Sequence, residues 1–251
     1  MKNSLYVAWR GPDLREGWGP VGKLEFDAGI YRFYYTEGAR KLPGFRPFTQ
    51  MKDLDLIYES PELFPLFANR LLSRSRQEYE AFLQWTGFHA AEAPDPIALL
   101  GVTEGLRQTD QVEVFPCPLP DANGNYQNKF FLHGLRWVSN DSLASLRHLP
   151  LGKELTLVPE PNNTYDPHAV ALHTNGHKLG YVPRYLARDV GALLQNTDGA
   201  LRVKIEQINH DAPLQHRVLC LISARWPRDF EPCSGLEFHP IPKSLLVSAS
   251  N

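Results

Sequence analysis

Apolar and polar positions change period several times along the chain, and each change marks an element. Near the start, "SLYVAW" reads as a short strand. After the Gly/Pro-rich "GPDLREGWGPVG", the alternation in "KLEFDAGIYRFYY" puts Leu24 and Phe26 before a turn and Tyr31, Phe33 and Tyr35 on one face after it, which predicts a β-hairpin. The period then becomes helical. Ser60 is a suitable N-cap, Pro61 suits the first helical position, and Leu63, Phe67, Arg70 and Leu71 fall on one side. A second helix is expected over residues 76–85, stopped by Gly87. Residues 90–128 are rich in Pro, Gly and Asn with little periodicity. They read as linker and surface loop, with a piece of strand at 111–115.

The second half is dominated by strand patterns. "FFLHGLRWV", residues 130–138, is expected as one strand, and "NDSLASLRHL" supplies a cap followed by leucines at helical spacing. "KELTLVPE", "AVALH" and "HKLGYVP" are further strands, the last two joined by Asn175-Gly176, a strong hairpin-turn signal. "RYLARDVGALLQN" predicts a helix with Leu186, Val190, Leu193 and Leu194 inward. "LRVKIEQIN" alternates, and "HRVLCLISARW" reads as a fully buried strand. The expected class is α+β: a small α+β N-terminal module, then a β-rich, OB-like barrel with two helices.

Composition adds modest limits. The chain has 251 residues, of which 43% are hydrophobic and 22% charged, the balance of a folded chain rather than a disordered one. No apolar run approaches the roughly 20 residues of a membrane span, and Arg10 and Gly11 interrupt any signal-type core, so no membrane partner and a cytoplasmic location are expected. Three scattered cysteines give neither a disulfide framework nor zinc-ligand spacing. The net charge of −2 is unevenly spread. Residues 129–226 hold 11 Lys/Arg against 8 Asp/Glu and seven of the nine histidines, whereas 1–128 hold 13 against 17. An anionic partner would therefore meet the second half.

No phosphate-binding Gly-rich loop, G-x-S-x-G elbow, H-E-x-x-H or kinase catalytic loop occurs, and no cofactor or enzymatic activity is expected. His168 and His173 stand five apart in an extended run and face opposite ways, so they do not form a metal site. The unusual stretch is "VPEPNNTYDPHAVAL", which is over-equipped for a strand connection. With Arg136 and Trp137 after one strand and Tyr181 and Arg184 after another, its Tyr165 and Asp166 supply stacking faces, cations and a hydroxyl acceptor. That set suits a nucleic-acid end carrying a free hydroxyl. Pattern alone also accommodates a plainer reading, with Trp137 and Tyr181 as core aromatics and "YDP" as an Asx turn.

Residues 129–226 resemble a HIRAN domain, through "HGLRW", "LVPEPNNTYDPHAVAL" and "LGYVPRYLA" in order and at the family's spacing. The resemblance implies an OB-type barrel that binds the 3′-hydroxyl end of single-stranded DNA. Arg136 and Trp137 stand where that family has an arginine and a stacking aromatic. Asn163, Tyr165 and Asp166 match its loop, with Tyr165 stacking and Asp166 receiving the 3′-hydroxyl. Arg184 takes the place of a phosphate-facing lysine, Tyr181 replaces a histidine, and Val138 stands where some members carry a second aromatic. The first half, 1–89, is similar to the N-terminal subdomain of HipA-type toxin kinases through "VGKLEFDAGIYRFYYTEGA" and "FPLFANRLLSRS". This implies a protein-interaction module without the kinase core, in a bacterial DNA-repair, defence or toxin–antitoxin setting. Residues 90–128 would then link the two modules, and 227–251 would form a C-terminal tail. The alternative is an antitoxin-like regulator that binds a HipA-like kinase and no DNA.

Overall fold

The computed structural model describes residues 3–11, 17–89, 94–107, 109–196 and 200–242. In chain order the elements begin with β1 (Asn3–Arg10), β2 (Trp18–Asp27), β3 (Ile30–Tyr35), α1 (Gly38–Lys41), β4 (Tyr58–Ser60), α2 (Pro65–Ala68), α3 (Tyr79–Trp85), α4 (Pro96–Thr103) and β5 (Val112–Phe115). The remainder are β6 (Asn125–Phe131), α5 (Asn140–Leu146), β7 (Glu154–Pro159), β8 (Val170–Thr174), β9 (His177–Tyr181), α6 (Arg184–Asn196), β10 (Arg202–Ile208) and β11 (Val218–Arg225). They sort into two compact units. The first gathers the described residues of Met1–Leu72, Asp95–Cys117 and Cys233–Asn251, and the second those of Ser73–Pro94 and Pro118–Pro232.

The first unit is built on an antiparallel sheet in the order β4-β3-β2-β1-β5. The expected hairpin is β2–β3, turned at Ala28 and Gly29, both at positive φ, and paired from Asp27↔Ile30 to Gly22↔Tyr35. Leu5, Val7, Leu24, Phe33, Tyr35, Val112 and Val114 lie in one apolar core with Phe67, Ile97 and Leu100. Tyr35 is fully buried, and its hydroxyl donates to Met51 O at 2.7 Å and accepts from Phe48 N at 2.7 Å.

Three expectations for this region change. The helix predicted from Ser60 is reduced to α2, because Tyr58–Ser60 is a strand on β3 and the helix begins at Pro65. Proline has no N–H and clashes with the carbonyl four residues back, so it opens this helix rather than sitting inside it. Phe67 and Arg70 still point inward. Second, the segment read as linker contains, besides the expected strand (β5), the helix α4. Asp95 caps α4 by accepting from Ile97 N, Pro96 takes the first turn, and β5 pairs with β1 at the sheet edge. Residues 90–93 and 108 of that segment lie outside the described residues. Third, part of the expected tail belongs to the fold: Pro240 bridges Thr36 and Ile241 N donates to Tyr35 O at 3.0 Å. Residues 243–251 lie outside the described residues.

The second unit holds a six-stranded antiparallel sheet in the order β6-β11-β10-β7-β8-β9. β11 lies second in this order and is largely buried, as its continuous apolar run requires. Asn175 and Gly176 both take positive φ in the β8–β9 turn. α6 turns Tyr185, Leu186, Ala187, Val190 and Leu193 inward, burial of each leucine and of the valine stabilising by about 1.5–3 kcal/mol. Leu194 is only half-buried. The expected barrel is not a continuous closed ladder. The strand order is open, and among the described residues its outer strands meet at a single bridge between His133, just after β6, and Tyr181, at the end of β9. The strand predicted over 130–138 stops at Phe131, and Leu135–Trp137 is a 3₁₀ turn, because Gly134 turns the chain at φ 76°. The second predicted helix shortens to α3 and ends with Gly87 at φ 75°. It belongs to this unit: Trp85 O accepts from Asn209 Nδ2 at 3.0 Å and Phe82 packs edge-on against His216.

Tyr35→Phe is expected to cost about 1–3 kcal/mol, since a buried carbonyl and a half-buried N–H lose their common partner. A urea denaturation midpoint indistinguishable from the parent would contradict that role. Asp189, on α6, is mostly enclosed and has no hydrogen-bond or ion-pair partner among the described residues, and burial pushes its carboxyl up to about 7. The folded state thus holds a proton that the unfolded chain releases near 3.8, so stability should fall as pH rises from about 3.8 to 7 and stay lowered above 7. Asp189→Asn is expected to flatten that slope and raise the urea midpoint at pH 8.

Candidate nucleic-acid interface

Three pieces of backbone converge around the end of β9. The first is the turn after β6, where Gly134 sits so close to Tyr181 that a Cβ there would come within 2.9 Å of its ring. A side chain larger than hydrogen would push Tyr181 away, and φ 76° is itself unfavourable for other residues. The turn projects Arg136 and Trp137 outward. Trp137 is 81% exposed, so it is not a core aromatic. The Arg136 guanidinium lies over its ring at 5.9 Å, and Arg136 has no ion-pair partner among the described residues.

The second piece is the β7–β8 loop, which is folded on its own side chains. Asn163 Oδ1 accepts from Tyr165 N at 3.0 Å and from Asp166 N at 3.2 Å, and Asp166 Oδ1 accepts from His168 N at 2.9 Å. These are Asx-type turns, so the plainer reading of "YDP" describes the backbone correctly. The same geometry leaves the Tyr165 side chain 58% exposed at the loop surface. The third piece is the start of α6, where Arg184 Nε lies 3.6 Å from Asp166 Oδ2. One Asp166 oxygen is therefore engaged by backbone, and the other faces a cation.

Glu160 and Lys178 were not singled out by sequence reasoning, yet they join these pieces. Glu160 accepts from Lys178 Nζ at 2.5 Å, from the Tyr181 hydroxyl at 2.9 Å and from Asn163 Nδ2 at 3.0 Å. Lys178 Nζ also donates to the Tyr181 hydroxyl at 2.9 Å. Burial alone would raise the Glu160 carboxyl, but the bonds from Lys178, Asn163 and Tyr181 outweigh it and hold the group below its ordinary value. Burial likewise opposes the Lys178 charge, and Glu160 and Tyr181 overcome it, so the ammonium is held above its ordinary value. Tyr181 is consequently part of the scaffold as well as the surface. A glutamate just after β7 and a lysine in β9, on the two sides of β8, were the available signal, legible only once the β7–β8–β9 register is known.

The seven residues expected to form the site thus fall into linked groups: Arg136 with Trp137, Asn163 with Tyr165 and Asp166, Asp166 with Arg184, and Tyr181 tied to Asn163 through Glu160. The arrangement offers exposed rings, one uncommitted guanidinium and one shared guanidinium. Among the described residues no cluster of three or more His, Cys, Asp or Glu could hold a metal ion, and no helix is long and apolar enough to cross a membrane.

The family model of the HIRAN domain matches residues 126–226. Over these residues the chain is similar to HIRAN domains. Among solved structures, the HIRAN domain of human HLTF is similar over 41% of this chain and 80% of its own, with 16% identity and a TM-score of 0.32. A structural-genomics target from Lactobacillus plantarum is similar over 40% of this chain and 97% of its own, with 24% identity and a TM-score of 0.32. No curated protein matches the sequence. The likeness of the first half to the HipA subdomain rests on its sequence motifs alone.

The Glu160 anchor has a defined pH signature. A carboxylate whose folded value is depressed contributes stability above its unfolded value and loses it as pH falls through the folded one. Protection of the 160–169 amides against hydrogen exchange, corrected for intrinsic rates, should therefore be level from pH 7 to about 4.5 and fall only below that. Glu160→Ala should abolish the added protection at pH 7. Parent-like exchange in the variant would show that the anchor is dispensable.

Proposed function

We propose that this chain is a non-enzymatic, cytoplasmic binding protein whose HIRAN domain takes the 3′-hydroxyl end of single-stranded DNA. The observation that carries the reading is the pairing of an 81% exposed Trp137 with the unpaired guanidinium of Arg136, on a turn fixed by Gly134. An exposed indole backed by a cation costs solvation without return inside the monomer, and it suits a base over the ring with a phosphate beside it. The family match of residues 126–226 supports a nucleic-acid ligand.

Within that reading, Trp137 and Tyr165 stack on the terminal bases, and Arg136 and Arg184 face phosphates. Asp166 accepts the hydroxyl through the oxygen not engaged by His168 N. A terminal phosphate would meet the Asp166 carboxylate and be disfavoured, which is the basis for selecting a free 3′-hydroxyl. Asn163 and Tyr181 hold the loop that presents these groups. The first unit serves as a protein-interaction module, with a HipA-like kinase as its expected partner, in DNA repair or a defence or toxin–antitoxin system. Cys117, Cys220 and Cys233 form no disulfide among the described residues, which suits the reducing cytoplasm.

The test is fluorescence polarisation with short single-stranded oligonucleotides ending in 3′-hydroxyl or 3′-phosphate, at fixed salt. The hydroxyl end is expected to bind more tightly, and Trp137→Ala to cost about 1–3 kcal/mol. Asp166→Ala should narrow the difference between the two ends more than it lowers overall affinity. Equal affinity for both ends in the parent would remove the end-reading role. No binding to either, with co-purification of a kinase, would favour the antitoxin-like alternative.

A further inference from the structure

The first unit contains a cleft of about 510 Å³ that no assigned role accounts for, all of whose lining comes from that unit. Trp9 of β1, Phe48 of the α1–β4 connection and Leu66 of α2 form its apolar walls, and Arg46, Arg70 and Asp110 supply its charge. The aromatic walls are held in place: Trp9 meets Phe45 edge-on at 5.8 Å, and Phe48 stacks on Tyr35 at 5.8 Å.

The polar wall is fixed as firmly. The Arg70 side chain is fully buried, with Nη1 donating to Gly105 O at 2.9 Å and Val112 O at 3.2 Å and Nη2 to Asp110 Oδ2 at 2.8 Å. Asp110 Oδ1 in turn accepts from Val112 N at 3.0 Å. Arg70 Nε is buried and has no hydrogen-bond partner. Such an orphan donor is costly in a packed interior. Arg46 is exposed at the same cleft and has neither a hydrogen bond nor an ion pair among the described residues. Asp110 neutralises one arginine, so the lining carries one positive charge in excess.

We propose that this cleft is a binding site for a small planar or aromatic molecule bearing one anionic group. Its ring lies against Trp9, Phe48 and Leu66, and its anion is drawn to Arg46, with Arg70 and Asp110 as a rigid wall beside it. The volume is that of a small-ligand pocket, and the combination of apolar walls with a few placed polar groups is what such sites require. A carboxylate and a phosphate monoester satisfy the same chemistry, and the experiment separates them.

The full-length chain is titrated by calorimetry with 3-phenylpropionate, adenosine 5′-monophosphate and, as the uncharged control, adenosine. One or both anionic probes are expected to bind at a single site and adenosine at least about tenfold more weakly, the scale of a charge-assisted hydrogen bond. Arg46→Gln, a surface change, should lower affinity for the anionic probe by about tenfold, and Leu66→Trp should block the cleft. Trp137→Ala, which damages the proposed DNA site, should leave probe binding unchanged, so the two sites fail independently. Absence of binding by both anions, binding insensitive to Arg46→Gln, or loss of binding in Trp137→Ala would each overturn the assignment.

Discussion

Two backbone hydrogen bonds between His133 and Tyr181, at 2.9 and 3.0 Å, connect the outer strands of the six-stranded sheet. Each contributes only about 1 kcal/mol net, but their geometric consequence is larger. They fix the point where the chain leaves β6 against the end of β9. Gly134 must then turn at once, Trp137 and Arg136 emerge on the far side of that turn, and the Tyr181 ring lies where a Cβ would otherwise be. From the opposite side, the Tyr181 hydroxyl reaches Glu160, which also holds Lys178 and Asn163. One bridge therefore coordinates both the aromatic turn and the polar loop.

The cations of this region are unequal. Arg184 shares its charge with Asp166 at 3.6 Å, whereas Arg136 has only the face of Trp137. Lys178 is committed to Glu160. A surface with several basic residues thus presents little uncommitted charge, in keeping with a molecule whose net charge is −2. Such a surface gains little from nonspecific attraction to a long polyanion and more from contacts at defined positions.

Much of the fold was legible because strand alternation and turn chemistry act locally. The β2–β3 and β8–β9 hairpins, α6 and the buried run of β11 appear where their residues predict them. The departures occur where one residue overrides a longer pattern. Pro65 cuts the expected helix to a single turn, and Gly134 ends a strand that its flanking aromatics would have continued. The helix within residues 90–128 was missed because Pro94 and Pro96 flank its start, and the destination of the expected strand there, beside β1, depends on pairing with residues about a hundred positions earlier. The exposed members of the candidate site were named from sequence, largely through family resemblance. Glu160 and Lys178 were not, because an ion pair across 18 residues is visible only after the strands have been placed in register.

The first unit is assembled from three separated stretches, and its last contribution, Ile241 under the end of β3, comes after the whole second unit has been encoded. During synthesis, the second unit can finish while the first still lacks its closing segment. β1–β3 must wait with part of their apolar face uncovered for more than a hundred residues of elongation, the interval in which nascent chains are most open to chaperones and to mispairing. The order of completion is thus the reverse of the order of initiation.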